Sequence, residues 1–525
     1  MRGVRVCLVV GCLAAACGGG RGADRPDGRL DSGTISDAGV ELDGGTDGGT
    51  DGGPVDAGIL GDIGPLGETS WTPLLDSSLS HFYKWMPSRG RDNDPQGVFR
   101  MEDDTLHVLG IAPTDQEQDF GYLATRDDLA DFRARVQQKW GTNTFAPRKG
   151  QPRDSGLLYY LRGDDKIWPQ CIEFQIQEHN VGDLWVLSGA GVTVQVHDPS
   201  ASEPTFEALG QTVDVRSGRV IKWWEAEKLT DWNQIEVIAS GQDSAQIVNG
   251  QWLNGATNIV AGSADGWGPL NHGHLALQAE GAEVFFRSFE VRPLAYLPPP
   301  DGAVVLFDGS NADAWRGSDG GTAGWKVANG ELEVVPGAGD LRTREAYGDV
   351  RLHLEFAVPP PQAKAAEQDR GNSGVYLQSR YEVQILDSFG HYISDANDCG
   401  AIYGVKDPAV NEAFPPGVWQ SYDIVFHPPV WNGTTKQSNA RITVVWNGSV
   451  VQQDTEVPGS TTLGDDEAPG AAPLRLQDHG HPVRFRNIWL EQIDAGTEPG
   501  PDAGSTPDGG TDGGVGPDGG SDAGP

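Results

Sequence analysis

Basic residues are scarce in this 525-residue chain, in which 38 lysines and arginines stand against 75 aspartates and glutamates for a formal net charge of −37. A surface of that sign repels phosphate backbones and argues against nucleic acid as a partner. Cysteine is scarce as well, and three of the five cysteines, Cys7, Cys12 and Cys17, crowd the N-terminus. No Cys-x-x-Cys pair occurs, which disfavours a zinc-thiolate site. Convincing helical stretches are few, and no apolar run is long enough to cross a bilayer as a mature helix.

What is present begins with a leader. MRGVRVCLVVGCLAAAC carries Arg2 and Arg5 ahead of a short apolar run from Val6 to Ala16. Small residues then lead to a cysteine, as in a bacterial lipoprotein signal over residues 1–17. Cys17 is the favoured acylated residue, with Cys12 as the competing choice and an ordinary secretory leader cut near Ala16 as the plainer reading. Each sends the protein out of the cytoplasm. Lipid anchoring at the cell envelope is expected, with Gly18 after the cysteine pointing toward the outer membrane.

Two tails hold much of the acidity. Gly18 to Leu66 has ten acids against three arginines, and Asp494 to Pro525 has seven acids and no base. Their Gly, Asp and Pro repeats lack apolar positions with which to offset chain entropy. Residues 18–69 are therefore read as a disordered tether and 495–525 as a disordered tail. The repeats also lack the regular apolar position of a calcium-binding β-roll.

The middle of the chain is duplicated. GYLATRDDLADFRARV from Gly121 lies over GDLRTREAYGDVRLHL from Gly339 without a gap, and LALQAEGAEVFFRSFEV lies over LRLQDHGHPVRFRNIWL. These alignments pair Gln278 with Gln477 and Arg287 with Arg486. Ser155-Gly156 matches Ser373-Gly374, and Glu173 and Gln175 match Glu382 and Gln384. Such a repeat has the size of a whole domain. The boundary falls at Leu297-Pro298-Pro299-Pro300-Asp301-Gly302, between domains at 70–296 and 303–494. Cys171 and Cys399 fall at non-equivalent places in different copies, so a disulfide between them is not expected.

Apolar residues recur with period two. In RLHLEFAV, Leu352, Leu354, Phe356 and Val358 share one face while Arg351, His353 and Glu355 share the other. Asn249-Gly250 and Asn447-Gly448 each sit where a hairpin turn needs positive φ. Many short strands between Gly, Pro and Asn turns predict an all-β fold of two tandem sandwiches, each with one sheet face free for ligand.

The second copy carries an ordered motif set. Leu306-Phe307-Asp308-Gly309 and Trp325-Lys326-Val327 come first, then GNSGVYLQSRYEVQILDS from Gly371, CGAIYG from Cys399, GVWQSYDIVF from Gly417 and LQDHGHPVRFRNIWL. This set resembles the 3-keto-disaccharide hydrolase family over nearly all of domain two. Domain one resembles it more distantly. The resemblance implies a concanavalin-like jelly roll acting on oxidised sugars. The chemistry it implies is removal of the C2 proton beside a C3 ketone, elimination at C1 and hydration of the product. That needs a general base and an electrophile on the ketone oxygen, rather than the paired carboxylates of an ordinary glycosidase.

Glu382 and Gln384 share a strand face, and Glu382 is the candidate base or cation ligand. His479, beside Gly480, is the candidate acid/base or cation ligand. Arg484 and Arg486 alternate on one strand, and one of them, with Arg484 favoured, would polarise the ketone. Asn372, Gln384, Gln477 and Arg486 are candidate sugar contacts, with Tyr403 and Trp431 as stacking platforms. A divalent cation is a candidate cofactor, with Glu382, Asp387 and His479 as its ligands, although Asp387 also reads as structural. In domain one, Glu173 and Gln175 persist as candidate contacts. There Asp478-His479 becomes Ala279-Glu280, Asn372 becomes Asp154 and Arg484 becomes Phe285. Activity is therefore expected in domain two. Trp223 and Trp224 beside Lys222 read as core, with a sugar-facing role as the alternative. A non-catalytic tandem carbohydrate-binding lipoprotein is the competing function.

Overall fold

The computed structural model describes residues 58–60, 63–110, 117–264, 266–361, 365, 367–391 and 394–493. The leader with Cys17, most of the predicted tether and all of the predicted C-terminal tail lie outside these residues. Among the described residues the only helical turns are Gly58–Leu60 and Glu367–Asp369, and no helix is long and apolar enough to cross a membrane.

Alternation builds two jelly-roll β-sandwiches in tandem. In domain one the small sheet runs in the order Gly218–Val220, Leu184–Leu187, Gln170–Gln177, Asp154–Arg162, His274–Ala279, Gly121–Thr125, Phe82–Met86 and Gly90–Arg91. It packs on a large sheet whose centre is Asp243–Val248, Asn233–Ser240, Phe132–Thr144 and Ala282–Pro293. Phe132, Ala134 and Val136 join Leu157, Tyr159 and Phe174 in one continuous core.

Domain two repeats the plan with a five-stranded small sheet, ordered Trp315–Gly317, Leu341–Thr343, Arg475–Leu476, Ser373–Leu377 and Tyr381–Ile385. Its large sheet is centred on Arg484–Gln492, Val350–Ala357, Gln420–His427 and Ala440–Trp446. Leu352, Leu354 and Phe356 share a core with Val375, Leu377, Tyr381 and Val383. Both expected hairpins form, with φ of 51° and 76° at Asn249 and Gly250 and 49° and 86° at Asn447 and Gly448. Cys171 and Cys399 are buried free thiols.

The outer faces of the two large sheets meet. Ile238, Ala245, Ile247 and Leu294 pack with Phe414 and Val418. Glu412 accepts hydrogen bonds from Arg133 at 2.8 Å and Arg292 at 2.7 Å, and all three side chains are largely buried. The Tyr296 hydroxyl donates to the Trp419 carbonyl at 2.8 Å. This back-to-back arrangement turns both small sheets outward, away from the junction.

Candidate functional site

The side chains of the domain-two small sheet are sorted by the core beneath them. Trp315, Leu341, Val375, Leu377, Tyr381, Val383 and Leu476 point inward. Alternation then sends Arg316, Arg342, Tyr376, Glu382, Gln384, Arg475 and Gln477 to the outer face. Register lines them up across the strands. Arg316 lies opposite Arg342, Arg342 opposite Arg475, Arg475 opposite Tyr376, and Tyr376 opposite Glu382. A second row places Gly374 opposite Gln384, with the Gln477 amide donating to the Gly374 carbonyl at 3.0 Å.

Gly374 is the residue that makes room. Any side chain there would collide with the Glu382 carboxylate, which leans across it. Glu382 is only 3% exposed. Burial pushes its carboxyl up to about 7, against the hydrogen bond from Tyr376 and the Arg475 charge, which favour the anion. The Arg475 guanidinium lies over the Tyr376 ring at 3.6 Å, and the Gln477 amide donates to the Tyr376 hydroxyl at 3.2 Å.

Residues 461–465 form a strap along the first row. Thr461 Oγ1 accepts from the Glu382 amide at 3.0 Å, and the Thr462 carbonyl accepts from Tyr376 at 3.3 Å. The Leu463 carbonyl accepts from Arg475 at 2.8 Å, while Asp465 holds Arg342 with bonds of 2.6 and 3.0 Å. Beside the strap, Oε1 of Gln384 and Oε1 of Gln477 are buried without a hydrogen-bond partner among the described residues. Two carbonyl oxygens next to a carboxylate are thus acceptors left unpaired inside the protein.

Several expected site residues thus come together. Asn372 donates to Gln368, which also accepts from Gln384 at 3.3 Å. The Tyr403 amide donates to the Glu382 carbonyl at 3.1 Å, and Tyr403 is half-exposed. His479 stands exposed just past the strand Arg475–Leu476, its ring parallel to His481 at 6.3 Å. The turn is fastened by Asp478 instead, which accepts from the Gly337 and Gly339 amides at 2.8 and 2.9 Å.

Other expectations are corrected. Arg484 and Arg486 do share a face, but it is the outer face of the large sheet. Arg484 pairs with Glu331 at 3.0 Å and Arg486 with Glu355 at 2.6 Å, and both guanidinium groups lie over Trp419. Phe485 between them enters the core, so parity turns both arginines toward domain one and away from Glu382. Asp387 is buried in an ion pair with Arg370 at 2.7 Å. Among the described residues no three His, Cys, Asp or Glu side chains gather as a cation site, so Glu382, Asp387 and His479 are not assembled into one. Trp431 belongs to a separate two-stranded ribbon.

The residues missed by motif reading are Tyr376, Arg475 and Asp340. Tyr376 stands two positions from Gly374, and Arg475 two from Gln477, so alternation was the signal that could have found them. Asp340 lies 3.7 Å from Arg475 and accepts from the Asp478 amide at 2.9 Å.

Domain one keeps the second row and rebuilds the first. Gln278, Gly156 and Gln175 stand where domain two has Gln477, Gly374 and Gln384, and a side chain at Gly156 would strike both Gln278 and Glu173. The first row, however, reads Tyr83, Ala124, Ala276, Leu158 and Glu173. Leu158 and Ala276 stand where domain two has Tyr376 and Arg475. Burial, with Glu280 and Asp154 nearby, holds the Glu173 carboxyl well above the usual range, and Arg148 offsets this only in part. Arg148 is itself occupied by Asp154 and by Glu280 at 2.8 Å.

The fold and site define a pair of jelly-roll β-sandwiches whose second copy carries, on a polar outer sheet face, a buried carboxylate with a raised pKa beside two orphaned amide oxygens. The chain belongs to the family described as the 3-keto-alpha-glucoside-1,2-lyase-like domain, whose model matches residues 70–292 and again 302–491. Both copies are therefore members, as the motifs suggested. Among solved structures, a candidate glycosyl hydrolase of Parabacteroides distasonis is 37% identical, with a TM-score of 0.35 over 37% of this chain and 85% of that one. A second from the same organism is 21% identical, with a TM-score of 0.29 over 37% and 95%. A carbohydrate-binding module of Bacillus subtilis is 10% identical, with a TM-score of 0.23 over 37% and 90%. No curated protein matches the chain. The assignment rests on the family match.

Proposed function

We propose that domain two cleaves 3-keto-glycosides by elimination and hydration. The observation that carries this reading is Glu382, a buried carboxylate with a pKa of about 7 beside a cation and a phenol. A base poised near neutrality is matched to abstracting a proton alpha to a carbonyl. Glu382 takes the C2 proton, and the released electron pair places negative charge on the C3 oxygen. Arg475 and the Tyr376 hydroxyl stabilise that oxygen. The enolate then collapses, C1–C2 becomes a double bond, the C1–O bond breaks, and the leaving oxygen takes a proton, with His479 at the rim as donor. Water then gives its hydroxyl to C1 and its proton back to His479, while C2 regains a proton from Glu382. The sum is one glycoside and one water giving one 3-keto sugar and one alcohol. Gln384 and Gln477 accept sugar hydroxyls through their orphaned oxygens, with Asn372 and Tyr403 bordering the site.

The test is direct. The purified chain should release nitrophenol from 4-nitrophenyl 3-keto-glucoside, and Glu382→Gln should not. Absence of release by the parent chain at neutral pH, with or without added divalent cations, would overturn the reading. Domain one, with Glu173 among other acids and no arginine row, is a binding copy on this view.

The leader extends the proposal to location. Acylation at Cys17 would tether both sandwiches to the bacterial envelope, at the outer membrane. Labelled palmitate should enter the parent protein and not Cys17→Ser. Incorporation that survives the substitution would move the anchor to Cys12.

A further inference from the structure

The small sheet of domain one extends past Gln170–Gln177 by two strands, Leu184–Leu187 and Gly218–Val220, that have no counterpart among the described residues of domain two. Immediately after the second strand come Trp223 and Trp224, which are 49% and 64% exposed. Indole carries a large apolar face, and two adjacent tryptophans left in water forgo burial that the core would reward. Together with Lys222 and Glu225 they line a shallow cavity of about 300 Å³.

The platform is built rather than loose. The Trp223 indole N–H donates to the Trp252 carbonyl at 2.6 Å, which spends its polar handle inside the protein. Trp252 donates in turn to the Asn254 carbonyl at 2.8 Å and packs edge-on against Phe206 at 5.0 Å. Beneath the pair, the Lys222 ammonium donates to the His179 carbonyl at 2.6 Å, and its amide donates to Asp183 at 2.8 Å. Asp183 also pairs with Arg219. Lys222, the residue before the pair, is thus latched to residues 179–183, the connection that leaves the Glu173-bearing strand. The Trp223 ring is fixed by its hydrogen bond, both rings are exposed, and they stand at the end of a sheet in a domain that matches the 3-keto-alpha-glucoside-1,2-lyase-like family.

We propose that Trp223 and Trp224 form a second carbohydrate site, one that binds neutral hexose oligosaccharides by stacking and performs no chemistry. The axial C–H groups of a pyranose give it an apolar face that matches an indole in size, while its equatorial hydroxyls stay in water or reach the exposed Glu225 carboxylate. The site is open and shallow, so a sugar ring would lie flat on the indoles rather than be enclosed. A neutral ligand fits a chain whose net charge of −37 repels polyanions. Held on one chain with the domain-two site, such a platform raises the local concentration of a glycan near the cleavage site.

The experiment uses the full chain. Binding of cellohexaose, maltohexaose and laminarihexaose is followed by calorimetry and by tryptophan fluorescence. At least one should bind with a Kd of about 1 mM or tighter. The double variant Trp223→Ala, Trp224→Ala should weaken that binding by at least about tenfold. Release from 4-nitrophenyl 3-keto-glucoside, a ligand too small to need the platform, should change less than about twofold. Trp224→Ala alone should weaken binding too, and its indole has no hydrogen bond among the described residues to lose, which separates ligand loss from misfolding. The proposal is overturned if no hexasaccharide binds the parent chain, or if the double variant binds as the parent does. It is also overturned if the tryptophans instead drive co-sedimentation with phosphatidylglycerol vesicles. A chain with no hydrolytic activity that still loses glycan binding in the double variant would sink the catalytic reading and leave this one standing.

Discussion

The two sandwiches share strand order, hairpin turns and the Gln–Gly–Gln row, yet they surround the same glutamate differently. In domain two, Glu382 has a phenol and a guanidinium for neighbours and sits near neutrality. In domain one, Glu173 has leucine and alanine along the same row and two further acids close by, so burial and those charges hold its carboxyl well above the usual range. A carboxylate is made useful by what faces it across the strands. The small residue that makes room, Gly156 or Gly374, is common to both copies.

The sharpest way to break the comparison is to remove each carboxylate. Glu382→Gln should cost at least about 10³-fold in kcat/KM, the scale of a lost general base, while Glu173→Gln should stay within about twofold. Steady-state kinetics on 4-nitrophenyl 3-keto-glucoside decide it, and the reverse result would move the chemistry to domain one.

The junction tests whether the copies act as one folding unit. Glu412→Ala leaves Arg133 and Arg292 buried without their shared partner, and should cost about 3–5 kcal/mol of stability in urea denaturation. Loss of a single cooperative transition, with one sandwich melting first, would accompany it.

The pH behaviour follows from Glu382. As a base it must be ionised, so kcat/KM should fall as pH drops through about 7. Its effect on stability has the opposite direction. A folded pKa raised from 4.5 to about 7 gives stability that is complete below 4.5 and lost as pH rises through 7. At pH 8, Glu382→Gln should therefore be more stable than the parent chain, by on the order of 3 kcal/mol. Equal urea midpoints at pH 8 and pH 4 would contradict a perturbed carboxyl. Glu173→Gln should show stabilisation at pH 8 as well, with no change in the activity profile.

Arg475→Ala should make domain two resemble domain one, where Ala276 occupies that place. A loss of about 100-fold in kcat with little change in KM would mark an interaction made in the transition state. A rise in KM alone would reduce Arg475 to a binding residue.

Much of this was legible before any coordinates. The duplication is written in gap-free alignments such as GYLATR over GDLRTR. The hairpins are written in Asn-Gly pairs, and the shared face of Glu382 and Gln384 in their spacing of two. Arg484 shows where that reading stops. Its parity was read correctly, as was its company with Arg486. Nothing in the strand said which sheet would hold it, or that the other sandwich would pack on its outer face. His353 makes the same point. It alternates with core residues as a solvent-facing histidine would, yet it is fully buried against Asp423 at 3.0 Å under the neighbouring structure. Burial opposes its charge, but Asp423 and Glu355 hold its pKa up at about 9.

The chain by itself determined periodicity, turn positions, the repeat and the family, because each depends on residues close in sequence or on direct comparison of segments. Only the tertiary structure decided which polar faces meet solvent, which meet the other sandwich, and which arginine reaches the buried glutamate. Those outcomes depend on strands far apart in sequence coming into register. A period of two fixes the side of a strand on which a residue lies, and carries no information about what will pack there.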